Sequence, residues 1–262
     1  MKTHLPCKIL SVDWDYFFPD LAPFDWGHQE SDLFIHELWS FRTHTRSYRT
    51  KKKAIDTVVP DPFYRQFWNA TIDSRTRVPW MFVISEAHLD IVWLIRMIGS
   101  CNIVNFDQHH DLGYSSTKHT KGYIDSACWV PAMLGNGLLK KYELVYPQWR
   151  RKYPEVSDPH DVFDNLSQAN CIYYSDKKNW VNRSFDIVFV CRSGAWAPPW
   201  SDKDWLSFIG GLEAINPIAW KQRTVLRKAG TSRKFDLRQA TELAHSMEIA
   251  KKEAANLNKK TN

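Results

Sequence analysis

No apolar run in this sequence exceeds the five residues of Ile91–Ile95. A membrane helix needs about 18, so a membrane span is excluded. The opening residues, Met-Lys-Thr-His-Leu-Pro-Cys-Lys, lack the apolar stretch of a signal peptide. Cysteine is scarce and unpaired in pattern: Cys7, Cys101, Cys128, Cys171 and Cys191 are odd in number and widely spaced, with no C-x-x-C pair. That argues against a disulfide framework and against a zinc ribbon. These absences predict a reduced, cytoplasmic protein. A strong charge of one sign is missing too. Lys+Arg 35 against Asp+Glu 29 leaves +6, and one segment accounts for all of it. Residues 42 to 53 carry Arg42, Arg46, Arg49, Lys51, Lys52 and Lys53 with no acid among them. One local basic run is usually a solvated face, so nucleic acid is not the expected partner.

What is present describes a folded enzyme-sized chain. With 262 residues, 44% hydrophobic and 24% charged, the composition is globular and long enough to bury a core without disulfide staples. No repeat, low-complexity tract or linker interrupts it, and residues 1–262 read as a single domain. Thirteen tryptophans exceed what such a core needs. Trp26, Trp39, Trp68, Trp149, Trp180, Trp196 and Trp200 fall in polar surroundings. They read either as large packing anchors or as the wall of a groove for an extended partner.

Short apolar runs predict strands at Lys8–Val12, Met81–Ser85, Asn102–Phe106, Glu143–Tyr146, Cys171–Tyr174 and Asp186–Val190. Between the second and third, Ile91, Leu94, Ile95 and Ile98 follow helical spacing and Gly99 is placed to end the helix. That is a strand–helix–strand crossover of a parallel sheet. Ile-Val-Phe-Val is apolar without alternation, as a strand covered on both faces requires. The expected fold is α/β, a three-layer α/β/α sandwich on a mostly parallel sheet. Residues 16–79 form a helical and basic excursion, with helix-like stretches around Phe34–Trp39 and after Asp61-Pro62. Ser201-Asp-Lys-Asp resembles a capping box, and Leu237, Ala240, Ala244 and Met247 form a stripe before a Lys/Asn-rich tail.

Chemistry gathers at three strand ends: Ser11-Val12-Asp13-Trp14-Asp15, Ser85-Glu86-Ala87-His88, and Asn105-Phe106-Asp107-Gln108-His109-His110-Asp111. Period-2 alternation would project Asp13 with Asp15, and Asp107 with His109 and Asp111. Carboxyl ends of parallel strands share one edge, where open α/β sheets place their sites. A lone Asp-x-Asp is more often a turn, and a lone histidine more often a cap. Four carboxylates together are another matter. Each pair at about 4 Å repels by roughly 1–4 kcal/mol, which calls for cations among them. Oxygen donors with a minority of imidazole suit Mn²⁺, Mg²⁺ and related ions better than a structural zinc, and the donor count fits two metals.

These motifs resemble a family. Asp107-Gln-His109-His-Asp111 is similar to the D-x-H-x-D signature of the arginase/agmatinase (ureohydrolase) superfamily. Ser11-Val12-Asp13-Trp14-Asp15 resembles its S-x-D-x-D motif, and His88 stands where that family has its lone histidine. S-x-D-x-D opens the chain here, whereas it normally follows D-x-H-x-D, so the sheet reads as circularly permuted. That order, with His109-His-Asp-Leu-Gly113-Tyr, looks like the peptide arginases, which convert arginine in ribosomally made precursor peptides to ornithine. The resemblance implies an arginase-like sandwich and two Mn²⁺ ions. Asp107 and Asp13 would bridge them, His88 and Asp111 would complete one shell, and His109 and Asp15 the other. It also implies hydrolysis to ornithine and urea by a metal-bridging hydroxide.

The pattern departs from the family in places. Gly113 stands where enzymes of free arginine carry an asparagine that holds the amino acid, as a peptide substrate would require. In the strand Asp186-Ile-Val-Phe189-Val, phenylalanine replaces the family's guanidinium-binding glutamate. Glu86, two residues before His88, is the candidate to take over the cation, or else a solvent-facing helix-start carboxylate. His119 and Asp125 are the candidates for the proton shuttle. The basic run at 42–53 would form a wall near the site mouth that attracts acidic stretches of a precursor. The other readings are a small-molecule ureohydrolase, a deacetylase-like amidohydrolase, and a metal-binding module without turnover. Homo-oligomerisation is left open.

Overall fold

The computed structural model describes residues 5–19, 35, 38–39, 42–43, 58–73, 77–113, 124–152 and 183–227, and the backbone of 169–173. Seven strands form one sheet: β1 (Cys7–Asp13), β2 (Met81–Ser85), β3 (Cys101–Phe106), β4 (Leu139–Tyr146), β5 (Ala169–Tyr173), β6 (Ile187–Cys191) and β7 (Thr224–Arg227). Their order is β5-β4-β3-β1-β6-β2-β7, and every pairing is parallel. The helices described from end to end are α1 (Phe67–Thr71), α2 (Asp90–Ile98), α3 (Trp129–Gly135), α4 (Asp202–Ile215) and α5 (Pro217–Gln222), and residues 35, 38–39 and 42–43 are helical as well. The fold is α/β. No helix among the described residues is long and apolar enough to cross a membrane.

Alternation along the strands divides the core in two. Ile9, Val83, Ile103, Ile187 and Phe189 face α2 and α3, packing on Ile91, Leu94, Ile95, Trp129 and Met133. Leu10, Val12, Phe82, Val188 and Val190 face the opposite layer, where Phe67, Trp205, Phe208 and Leu212 pack. Each of the residues Ile187 to Val190 is fully buried, which explains why β6 shows no polar alternation. At roughly 1.5–3 kcal/mol per buried side chain, these four hold the strand at the sheet centre. α2 ends as its sequence prescribes. Gly99 closes it at φ 89, its N–H bonding the Ile95 carbonyl at 2.8 Å, a conformation that favours glycine.

Elsewhere the local expectations need adjusting. Asp61 does cap, accepting from Phe63 N at 2.8 Å, but Pro62–Arg65 is a 3₁₀ turn that leads into the short α1. Ser201 precedes α4 without a capping bond. Its hydroxyl instead donates to the Pro198 carbonyl and receives Trp14 Nε1, so no capping box forms. Three of the tryptophans behave as anchors: Trp39, Trp68 and Trp200 each donate Nε1 to a carbonyl, of Gly194, Phe208 and Val58. Arg42 departs from the solvated basic run. It is buried, donates to the Ala195 carbonyl, and stacks on Trp39 and Trp196. Ile35, Leu38 and Trp39 are helical, while Phe34, His36, Glu37, the run's other basic residues, Trp26, Trp180 and the stripe at 237–247 lie outside the described residues.

The connections prepare a site. From β1 the chain next pairs beyond β6, at β2, whereas from β3 it moves the other way, to β4. Adjacent strands whose crossovers depart in opposite directions leave a crevice at their carboxyl ends. Here that crevice lies between β1 and β3.

Candidate metal centre

Each strand end delivers its side chains by a turn. β1 stops at Asp13, whose Oδ1 accepts from Asp15 N at 3.1 Å and starts the 3₁₀ turn Trp14–Phe17. Trp14 buries its ring against Phe17, Phe18, Tyr64 and Phe208 on the α4 side, which fixes the turn and holds Asp15 inward. β3 stops at Phe106, and Asp107 Oδ1 accepts from His109 N at 2.8 Å. The motif residues are therefore gathered by capping turns, and the expected continuation of strand alternation is corrected. Asp111 adopts φ 56 and Ser193 φ 48. Backbone in this region costs a non-glycine residue about 1–3 kcal/mol and clusters at functional sites. Both residues stand at this site.

The structure brings all six predicted ligands together. His88 Nδ1 lies 3.0 Å from Asp107 Oδ2, 3.2 Å from Asp111 Oδ2 and 3.5 Å from Asp13 Oδ2. His109 Nδ1 lies 3.1 Å from Asp15 Oδ2 and 3.6 Å from Asp107 Oδ1. Asp107 thus turns one oxygen to each imidazole and joins the two groups. His88 Nε2 is 3.2 Å from Ser11 Oγ, and Phe189 stacks on the ring at 6.0 Å, so its orientation is fixed on two sides. Trp129 Nε1 donates to Asp111 Oδ2 at 2.7 Å, Asn105 Nδ2 to Asp107 Oδ2 at 3.1 Å, and Ser193 Oγ to Asp13 Oδ2. Such partners orient ligands and tune their basicity.

The donor set fits divalent cations on three grounds. The first is charge. Asp13, Asp15, Asp107 and Asp111 are buried, and two imidazolium ions would offset only two of four carboxylates. The second is hydrogen bonding. One Nδ1 proton on His88 cannot serve three carboxylate oxygens, and neither buried oxygen of Asp15 has a well-aligned donor although His109 and Gln108 face it. The third is spacing, since bonds of about 2.1 Å at right angles put neighbouring donors about 3 Å apart, close to the distances above. Donor atoms of Asp15, Asp107 and His109, and of His88, Asp107 and Asp111, each lie within 4.8 Å of one another.

Electrostatics in the chain alone shows the same strain. Burial opposes the charge on His88, but Asp111, Asp107 and Asp13 outweigh it and raise the imidazole to about 10. Burial likewise opposes the charge on Asp107, yet His109 and His88 hold it well below the usual carboxylate range. Asp15 and Asp111 go the other way, each raised by burial first and by Asp107 second. Two carboxylates thus favour protons that a cation would displace.

The remaining candidates stand further out. Glu86 is half-buried, with Arg192 Nη1 at 3.8 Å, so a guanidinium of this chain already faces it. Asp125 Oδ1 accepts from Ala127 N at 3.0 Å, two residues on, in a turn ahead of α3. His119 lies outside the described residues. Gly113 has φ 92 and donates its N–H to the Ala127 carbonyl. The sequence reading missed Cys191, whose donor atom falls within 4.8 Å of those of Asp13 and His88. Trp196, read from the sequence only as an anchor or a groove wall, has its ring 4.7 Å from that of His109. At the end of an apolar run, Cys191 carries no local signal that could have found it. Comparison with protein-family models, with curated proteins and with solved structures found no match to this chain.

Proposed function

We propose that the chain is a binuclear manganese ureohydrolase of arginase-like, permuted architecture that hydrolyses arginine side chains within a peptide to ornithine and urea. The observation that carries this reading is the buried pair of donor groups joined through Asp107. Asp13, His88, Asp107 and Asp111 would hold one Mn²⁺, and Asp15, His109 and Asp107 the other. When bound, such a pair supplies Lewis acidity and brings the pKa of water from 15.7 towards about 7. The chain's own residues orient and exclude. Ser11 and Phe189 lock the His88 ring, Asn105 and the His109 amide hold both oxygens of Asp107, and Trp129 holds Asp111. The burial of these groups keeps bulk solvent from competing for the ligands.

Gly113 supports a peptide as substrate, because it offers no side chain to grip the α-amino and α-carboxylate groups of a free amino acid. Among the candidates for the substrate's guanidinium, Glu86 would have to exchange its contact with Arg192. The test is mass spectrometry of an arginine-containing precursor peptide incubated with Mn²⁺-loaded protein, with urea assayed in parallel. The expected result is loss of CH₂N₂ per modified arginine, with kcat/KM far above that for free arginine. Equal or better turnover of free arginine or agmatine would assign a small-molecule ureohydrolase instead, and release of acetate from an acetylated amine a deacetylase-like enzyme. Metal binding with no product from any of these would leave a binding module.

A further inference from the structure

We infer that the Cys191 sulfur is itself a metal ligand on the His88 side of the centre, giving that side an affinity for thiophilic cations. This inference rests on the reading of the site as a metal centre, and adds a donor of a different chemical class. Cys191 is the last residue of β6, in register with Asp13 of β1 on one side and Ser85 of β2 on the other. Register neighbours in a parallel sheet project to the same face, so the sulfur shares the face of Asp13 at the same strand-end level. Cys191 is fully buried, and one donor atom from each of Asp13, His88 and Cys191 lies within 4.8 Å of the other two. Metal–nitrogen or metal–oxygen bonds of about 2.1 Å and a metal–sulfur bond of about 2.3 Å let donors on one cation stand up to about 4.4 Å apart, so small side-chain adjustments at most let the three hold one ion.

Hydrogen bonding agrees with this role. The Ser193 hydroxyl has one proton and donates it to Asp13 Oδ2, so at its 3.7 Å contact with Ser193 Oγ the sulfur is the donor. On metal binding the S–H bond breaks, the proton leaves to solvent and the sulfur lone pair forms the bond to the cation. A thiolate beside Asp13 would otherwise be repelled by it. The two halves of the centre are then chemically unequal. Asp15, Asp107 and His109 offer oxygen and nitrogen, which suit Mn²⁺, whereas Asp13, His88 and Cys191 add sulfur, which favours Zn²⁺, Co²⁺ or Cd²⁺.

Cobalt titration of the chelator-treated full chain tests this without any turnover. The wild type should show visible d–d bands together with a near-ultraviolet sulfur-to-cobalt charge-transfer band. Cys191→Ala should keep d–d bands and lose the charge-transfer band. Its affinity for Zn²⁺ should fall roughly 10- to 100-fold, while that for Mn²⁺ changes much less. A wild-type spectrum with d–d bands and no charge transfer overturns the sulfur ligand and leaves the metal centre standing. A charge-transfer band that persists in Cys191→Ala assigns the sulfur elsewhere and overturns it too. No cobalt spectrum at all overturns both. Should the variant fail to fold, cadmium NMR of the wild type decides by itself: a thiolate-shifted resonance supports the assignment, and one at an oxygen–nitrogen position refutes it.

Discussion

Replacing Asp111 by Asn separates the cost of gathering carboxylates from the gain of binding cations. Asparagine keeps the shape, tolerates the left-handed backbone of this position, and offers an amide oxygen to Trp129 Nε1 in place of the carboxylate. What it removes is the charge. In the metal-free chain burial, then Asp107, raise Asp111 well above the ordinary carboxylate range. Above the unfolded pKa of about 3.9, the folded state therefore binds more protons than the unfolded one. Stability from this group then falls as pH rises through the folded pKa. Asp111→Asn removes that fall, so the metal-free variant is expected to match or exceed the wild type near neutral pH. Cations reverse the order. Saturating Mn²⁺ at about 1,000 times Kd stabilises by about 4.1 kcal/mol. A loss of roughly 10- to 100-fold in affinity removes about 1.4–2.7 kcal/mol of this. At about 2–4 °C per kcal/mol for a chain of this size, the Mn²⁺-induced rise in Tm should shrink by roughly 3–10 °C. Thermal melts of chelator-treated protein, with and without Mn²⁺, read both effects. An unchanged Mn²⁺ increment in the variant refutes the ligand assignment, and a metal-free variant markedly less stable at neutral pH refutes the electrostatic argument.

Three further outcomes follow from the packing around the site and beyond it. Ser193→Ala deletes the donor to Asp13 and should weaken Mn²⁺ roughly 10- to 100-fold by calorimetry with the fold intact; unchanged affinity would mean that this bond does not orient the ligand. Gly210 and Gly211, neighbours in α4, should respond oppositely to alanine. A Cβ at Gly210 meets nothing within 4 Å, whereas at Gly211 it would sit 2.7 Å from Trp68 Cδ1. Urea melts should show Gly210→Ala gaining up to about 1 kcal/mol and Gly211→Ala losing about 1–3 kcal/mol to overpacking. Equal shifts would contradict the indole's placement. Burial, then Asp186, pushes the Cys7 thiol up to about 11, and burial, then Cys7, pushes Cys101 up to about 12. At pH 8 both should alkylate on the order of 100-fold more slowly than an unperturbed thiol of pKa about 8.5, and rapid labelling by mass spectrometry would show those thiols to be open.

Much of the sheet was legible because its strands are short apolar runs that need no partner to be recognised. Six of the seven strands overlap such runs, although β4 begins at Leu139, before the expected Glu143, and β5 spans Ala169–Tyr173 rather than the expected Cys171–Tyr174. β7 does not, since Thr224–Arg227 is four residues with a single apolar pair, and its strand character comes from pairing with β2. The six donors were legible for a similar reason. Each motif occupies at most five residues at a strand end, so the topology that aligns the strands also aligns the motifs. The alternation argument brought the right residues to one site, but by the wrong geometry and in the wrong pairs. Asp13 caps its own turn and swings Asp15 round, and Asp111 leaves the extended region altogether. Local competition of this kind, between a carboxylate and the backbone beside it, has no period to detect. Arg42 was read with its basic neighbours and proved a packing residue, because its partners Trp39, Trp196 and the Ala195 carbonyl are set by the tertiary fold.

Cys191 shows where the limit lies. Nothing within its own segment distinguishes it from an apolar strand residue, and as a buried thiol it packs with Phe189 and Ile187 on the α2 face. Its chemical meaning comes from two register pairings, with Asp13 and with Ser85, that join segments far apart in the chain. A motif can announce the ligands that one strand end supplies. The neighbour that a central strand slides between two such ends is decided by strand order. In this sheet β6 is inserted between β1 and β2, and that insertion sets the sulfur beside the carboxylate of one strand and the imidazole that follows the other.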